Sequence, residues 1–316
     1  MTTGFNTLLH TRWIWSFVAA SVVWFITIMF TGGSSLVELT QVAFTFASFS
    51  IIVGLGQMFV ITLGPGNIDL SIPATMTLSG TIVLKFVGGD ASLIVPGFLI
   101  AIAIGVGVGL SNFTLIKLLR IPPIIATLAM SFIVQSAAIW TNRGLRIRPP
   151  QSLSDFAVGF TLGVPNLAWV ALIVSVFGYI LLEKSVFGRW VVAIGQNMRA
   201  ARLAGVPVEG VRCATYVLCA VLAGVCGYFL ASFSGGAALN MGQEYLLMSI
   251  AVVVIGGTSV AGGDSNVPGI WGASLFMFLV VSMLNTYGFD AGFRMIMTGV
   301  IIIGVIIAAS SRTLRL

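Results

Sequence analysis

The residues able to do chemistry in this 316-residue chain are few: nine Asp and Glu, one His and three Cys. A single histidine, His10, supplies neither paired metal ligands nor a Ser-His arrangement. No G-x-x-x-x-G-K-[ST] loop is present to cradle the phosphates of ATP, and no aspartate-rich pair suits a membrane prenyltransferase. Cys213, Cys219 and Cys226 share one apolar stretch at spacings of six and seven, and read as small packing residues. The chain is expected to be no enzyme and to bind no metal or cofactor of its own.

Ionisable and amide groups inside apolar stretches are the remaining candidates, because a charge in lipid is costly. Asp69 is the foremost. It stands in GLGQMFVITLGPGNIDLSIPATM (54–76), where Gly64, Pro65 and Gly66 break an apolar run and Asn67, Asp69 and Ser71 follow. Asp69 either caps the next helix or polarises a pathway. A second cluster, VVVIGGTSVAGGDSNVPG (252–269), repeats the order of apolar helix, glycine turn (Gly256, Gly257, Gly262, Gly263), acid (Asp264) and new helix. Broken helices at membrane depth are tolerated only where the backbone is buried in protein or lines a cavity. Gln57 and Asn285 are single amides within apolar runs. With Asn67, Asp69, Ser71, Gly256 and Gly257 they form the expected pathway or gate set. Glu244, with Gln243, opens an apolar run and reads as an interfacial position.

The other polar concentration is EKSVFGRWVVAIGQNMRAARLAGVPVEGVR (183–212), which holds seven of the 24 charged residues. Within it Asn197 is an N-cap, MRAARLA (198–204) is helix-forming, Gly205 fits the position past the helix end and Pro207 forbids continuation. A helix of about seven residues spans only ~10 Å and is marginal alone in water. On an aqueous face of a membrane protein, such a helix is a docking or coupling element. Its expected contact residues are Asn197, Arg199, Ala200, Ala201, Arg202 and Gly205.

The elements that must position these groups are written in composition. Hydrophobic residues make up 58% of the chain, charged residues 8%, and the mean hydropathy is +1.09, against about 25% charged in a soluble domain. Runs of ~20 apolar residues cross a bilayer core. Ten are present: roughly 13–31, 42–63, 69–87, 94–116, 124–141, 162–182, 213–233, 244–260, 267–286 and 291–309. The first lacks a cleavage motif and is expected to be retained. The expectation is one membrane domain over 1–316, all-α and polytopic, with some helices broken. A cytoplasmic N-terminus puts ten Lys and Arg on inner segments and five on outer ones, in line with the positive-inside rule. Both termini and the 183–212 island are then cytoplasmic. The net charge of +6 is met by loops beside anionic lipid, without nucleic acid. The longest outer segment, 142–163, carries Pro149 and Pro150, and is expected either to contact a periplasmic partner or to lie on the bilayer with Phe156 and Phe160 as anchors.

Three stretches together carry a family resemblance. GLGQMFVITLGPGNIDLSI (54–72) is similar, through Ile68-Asp69-Leu70-Ser71, to a segment of the permease subunits of ribose-type sugar importers driven by ATP-binding-cassette subunits. FGRWVVAIGQNMRAARLAGV (187–206) resembles their cytoplasmic coupling segment at Gly188, Gly195, Asn197, Ala200, Ala201 and Gly205. IAVVVIGGTSVAGGDSNVPG (250–269) resembles their Ile-Gly-Gly turn. Gly64-Pro65-Gly66-Asn67, where the family usually has a tighter Thr-Gly-Gly turn, is the chief departure.

The resemblance implies ten helices in the type II-like fold of the larger importers, in a bacterial inner membrane. It implies a second permease subunit, a cytoplasmic ATPase that carries ATP and Mg, and a periplasmic binding protein delivering a monosaccharide. The alternatives are a self-contained secondary transporter or channel, and a membrane enzyme. No span carries the chain of acids or histidines that a proton relay uses.

Overall fold

In lipid every backbone N–H and C=O must be satisfied within its own segment, so apolar runs of this length fold as helices. The structure is a computed structural model that describes residues 13–30, 36–142 and 148–288, and beyond them 290, 292, 293, 296, 297, 299–301, 303 and 304. Its helices are α1 (Ile14–Phe30), α2 (Leu36–Thr62), α3 (Ile72–Val87), α4 (Ile94–Leu118), α5 (Pro123–Thr141), α6 (Gln151–Val158), α7 (Asn166–Tyr179), α8 (Val186–Leu203), α9 (Val208–Phe233), α10 (Tyr245–Ile255) and α11 (Val267–Thr286). A π-helical turn, Ile180–Lys184, prolongs α7.

The chain is a polytopic, almost wholly helical membrane protein. Its one departure from all-α, among the described residues, is a two-stranded hairpin in the 142–163 region and just beyond, β1 (Phe160–Thr161) against β2 (Val164–Pro165). That region also folds α6, whose Phe156 packs on Phe229 at 6.3 Å between ring centroids. α6 is docked on the bundle.

The described residues support part of the expected count of ten spans. Six helical segments are long and apolar enough to cross a membrane: 36–62, 91–118, 123–141, 166–184, 208–233 and 267–285. Three more apolar helices are shorter: Ile14–Phe30, Ile72–Val87 and Tyr245–Ile255. The expected span 291–309 lies largely outside the described residues. Two short helices have a plain cause. The run expected to start at 69 begins at Ile72, because 63–71 is a turn with Gly64 at φ 110° and Gly66 at φ 79°. The run expected to reach 260 stops at Ile255, where Gly257 takes φ 92°.

α9 is the axis of the bundle, packed against α4, α3 and α2. Small residues permit the approach, as expected for helices in lipid. A Cβ added at Gly109 would stand 2.8 Å from Tyr216 O, and one at Gly105 2.6 Å from Ala220 O, both backbone atoms of α9. α3 is enclosed, with 13 of its 16 residues buried. Its hydroxyls are satisfied inside: Thr75 and Thr77 donate to Ser71 O and Pro73 O, and Ser79 donates to Gly224 O of α9 at 2.7 Å.

α7 differs. Its outward side chains Leu172, Ile173, Val176 and Phe177 are large, apolar and exposed, the composition of a lipid-facing surface.

Candidate functional site

Three arrangements stand out, and all involve breaks in helices. The first is a buried polar knot behind the 63–71 turn. Asp69 Oδ1 accepts from Ser71 N at 2.8 Å and Ser71 Oγ at 2.6 Å, so the carboxylate closes a local turn before α3. Asn112 Nδ2 of α4 donates to Ser71 Oγ at 2.8 Å and reaches Asp69 Oδ1 at 3.4 Å. Asp69 N donates to Gln57 Oε1 at 3.2 Å, and Cys219 Sγ lies 3.9 Å from the same oxygen. Thr127 of α5 accepts from Leu70 N at 3.1 Å, and Tyr216 of α9 donates to Asn67 Oδ1 at 3.1 Å.

Five helices thus meet on one loop. Of the expected pathway set, Gln57, Asn67, Asp69 and Ser71 converge here, all buried, with Asp69 only 1% exposed. Asn112, Thr127, Tyr216 and Cys219 complete the knot. Gly256 and Gly257 lie elsewhere, at the crossing of α10 and α11, where Asn266 Nδ2 donates to Gly256 O at 3.1 Å. Asn285 belongs to neither group. It is exposed near the far end of α11, about 27 Å of helix from Val267.

The second arrangement is α8, which Asn197 divides into two limbs. Asn197 leaves helical geometry (φ −159°, ψ 102°) and its Oδ1 accepts from Arg199 N and Ala200 N, both at 3.0 Å. It is the N-cap read from the sequence. At the other end Gly205 takes φ 84°, Gly205 N donates to Arg202 O at 3.1 Å, and Val206 N donates to Ala201 O at 3.0 Å. This doubly bonded C-cap satisfies two carbonyls that the helix leaves open.

The limb is not an isolated helix of seven residues, as the sequence suggests. It continues a first limb, 186–196, that starts at a second cap: Ser185 Oγ accepts from Gly188 N at 3.0 Å. Of the expected contact residues, Arg199, Ala200, Arg202 and Gly205 are exposed and Ala201 is buried. Leu203, which the sequence reading left unmarked, is 90% exposed. Arg202 also pairs with Glu209 at 2.9 Å across the turn into α9.

The third arrangement joins the first two. Gly263 N donates to Thr62 O at 3.0 Å, so the end of α2 and the 257–266 turn are hydrogen-bonded. Gly195, the residue two before Asn197, fits against that bond; a Cβ there would collide with Thr62 O and the Gly263 backbone. A Cβ at Gly262 would stand 2.6 Å from Gly64 N and 3.1 Å from Gly195 O. The two glycine turns therefore share one end of the bundle, and α8 touches both through backbone. Beside this joint a cavity of about 380 Å³ is lined by Glu183, Arg189, Gln196 and Ser265, among others. No group of three or more His, Cys, Asp and Glu that could hold a metal occurs among the described residues.

At the end of the bundle opposite this joint, the loop before Gln243 and Glu244 runs back along the helices. Asn142 Nδ2, at the end of α5, reaches Ala237 O at 3.4 Å, but Gln135 Nε2, seven residues back along that helix, donates to Leu239 O at 2.8 Å. The chain then passes Gly80 through Met241 and rests Gly242 against Pro73. The 234–244 loop descends into the bundle before α10 begins.

Comparison with known proteins bears on what these arrangements serve. Residues 39–306 match the family described as branched-chain amino acid transport system / permease component. The chain is 29% identical over 261 residues to the ribose import permease protein of Escherichia coli strain K12, covering 81% of this chain and 80% of that protein. It is 33% identical over 240 residues to the L-arabinose ABC transporter permease protein of Azospirillum brasilense, 74% of this chain and 69% of that one. It is 30% identical over 263 residues to the autoinducer 2 import system permease protein of an Enterobacter species, 83% and 76% respectively. No solved structure matches.

Proposed function

The chain belongs to the family of permease components of branched-chain amino acid transport systems, and from that membership we propose that it is the membrane subunit of an ATP-binding-cassette importer for a monosaccharide. The sugar assignment rests on the ribose and arabinose permeases among its relatives. It is a single transmembrane domain in a bacterial inner membrane, with both termini and α8 in the cytoplasm. Ten crossings are reached by adding the three short helices and 291–309 to the six long ones. A second permease subunit, identical or paralogous, completes the pathway. A periplasmic binding protein delivers the sugar, and a cytoplasmic ATPase carries ATP and Mg. This chain is not catalytic.

The observation that carries the reading is the second limb of α8, capped at both ends and projecting Arg199, Ala200 and Leu203 outward. The ATPase grips this limb through Asn197, Arg199, Ala200, Ala201, Arg202 and Gly205, with Leu203 added. Transmission requires that the limb interact differently with the two ATPase states. Its displacement reaches the 63–71 and 257–266 turns together, because Gly195 touches both. Gln57, Asn67, Asp69 and Ser71 keep the first turn rigid, while Gly256 and Gly257 pivot the crossing of α10 and α11. The gate is worked through them, and no solute contact is required of them.

The test is uptake into proteoliposomes holding the permease with its cognate ATPase and binding protein, with radiolabelled ribose and arabinose. ATP-dependent uptake that Arg199→Glu abolishes, with the ATPase no longer retained, is the expected result. Uptake by the permease alone without ATP would overturn it.

A further inference from the structure

We propose that Asn240, Gln243 and Glu244, on the loop that descends between α9 and α10, line the solute pathway and hydrogen-bond a neutral polyhydroxylated solute there. The inference deepens the importer reading and rests on it for the identity of the solute.

Depth comes first. Ala237 is bonded near the end of α5 and Leu239 to Gln135, seven residues back along that helix, so this part of the loop runs down the side of α5. Met241 reaches Gly80, midway along α3, and Gly242 lies against the Pro73 backbone near the start of α3. Tyr245, the first residue of α10, packs edge-on against Phe49 at 6.4 Å, midway along α2. The loop tip is therefore well inside the bundle. Non-helical backbone at that depth is stable only inside protein or against a water-filled cavity.

The side chains separate those two cases. Gly242 and Tyr245 are buried, whereas Asn240, Gln243 and Glu244 are exposed, and their side chains have no hydrogen-bond or ion-pair partner among the described residues. Two amides and a carboxylate left open to hydrocarbon would be costly, so the space they face is aqueous. The lipid-facing surface of α7 offers the contrast, with Leu172, Ile173, Val176 and Phe177 turned outward.

The chemistry selects the solute class. Amides donate and accept, and a carboxylate accepts, which matches hydroxyl groups presented in several directions. The segment 234–248 contains no Lys or Arg to pair with a solute carboxylate, and Glu244 would repel one. The hydroxyls of a sugar fit these groups. Single hydrogen bonds of this kind also let the solute leave again.

Two measurements test this. In the first, Cys213→Ser chains carrying Gln243→Cys or Ile173→Cys are treated, in the complex, with a membrane-impermeant methanethiosulfonate, with and without ATP. Gln243→Cys is expected to react in at least one state and Ile173→Cys in neither. An unreactive Gln243→Cys overturns the aqueous assignment, whatever the solute proves to be.

In the second, uptake of ribose and arabinose is followed in Gln243→Ala and Glu244→Gln complexes. Each is expected to lose roughly tenfold in uptake and to shift the ratio of the two sugars. Unchanged uptake and ratio in both variants overturns the contact. If the unsubstituted complex moves neither sugar, the importer reading fails on sugar, and the labelling result still decides whether the space these residues face is aqueous.

Discussion

Asp69 shows how one side chain can hold a turn at membrane depth. An unpaired charge near the middle of a helix in lipid costs about 2.5–3.5 kcal/mol on insertion scales, yet no lysine or arginine is bonded to it among the described residues. Its stabilisation comes from donors: Ser71 N, Ser71 Oγ and Asn112 Nδ2, all acting on Oδ1. Asp69→Asn retains an oxygen at that position and is expected to keep insertion and the melting temperature close to the parent. Asp69→Ala strands buried donors at about 1–3 kcal/mol each and is expected to lower the melting temperature in detergent by several degrees. Equal melting temperatures for the two variants would show that the knot does not depend on this acceptor. Half of the knot was legible because Asn67, Asp69 and Ser71 lie within five residues beside a glycine break. Asn112, Thr127 and Tyr216 were not, since each looks like an ordinary polar residue in an apolar helix until packing brings it to the loop.

At the scale of elements, caps were readable and limbs were not. Asn197, Gly205 and Pro207 act over three or four residues, so sequence alone located the second limb of α8. The first limb depends on Ser185 and on Gly188 facing the Leu181 and Leu182 carbonyls across a tight turn, a contact with no linear signature. Asn197→Ala removes the acceptor for two amides, at about 1 kcal/mol. Exchange of the Arg199 and Ala200 amides is expected to quicken about fivefold, with α9 unaffected. Uniform acceleration across α8 and α9 would mean that the two limbs unfold as one. The joint makes a separate demand. Gly195→Ala must separate α8 from Thr62 O and Gly263, whereas an alanine at Gly107, where nothing lies within 4 Å, displaces nothing. Gly195→Ala is expected to insert and retain the ATPase but lose most transport, with Gly107→Ala transporting normally. Equal uptake by the two would remove the joint from the transmission path.

For the whole molecule, hydropathy located the apolar runs but not their lengths. α3, at 16 residues, is shortened because it starts late, from the loop that enters the bundle at 63–71, and α10, at 11, because it stops early at the Gly257 turn. Neighbouring helices there supply the backbone partners that a lone span would have to provide for itself. The same geometry fixes the polarity of the machine: α8 and both glycine turns gather at one end, and the 234–244 loop enters from the other. A motor that binds the α8 end must do so through what that end exposes. A single exposed leucine is ordinary on a protein surface. Leu203 differs in being 90% exposed on a limb held rigid by two caps, four residues from Arg199 and so on the same helical face. Leu203→Asp is expected to leave insertion and melting temperature unchanged, within about 0.5 kcal/mol, because no intramolecular packing is lost. Retention of the ATPase during purification is expected to fall roughly tenfold or more, as when an apolar anchor is removed from an interface. Full retention by Leu203→Asp together with full uptake would show that the motor holds the permease elsewhere, and the α8 limb would then be a surface feature without a mechanical role.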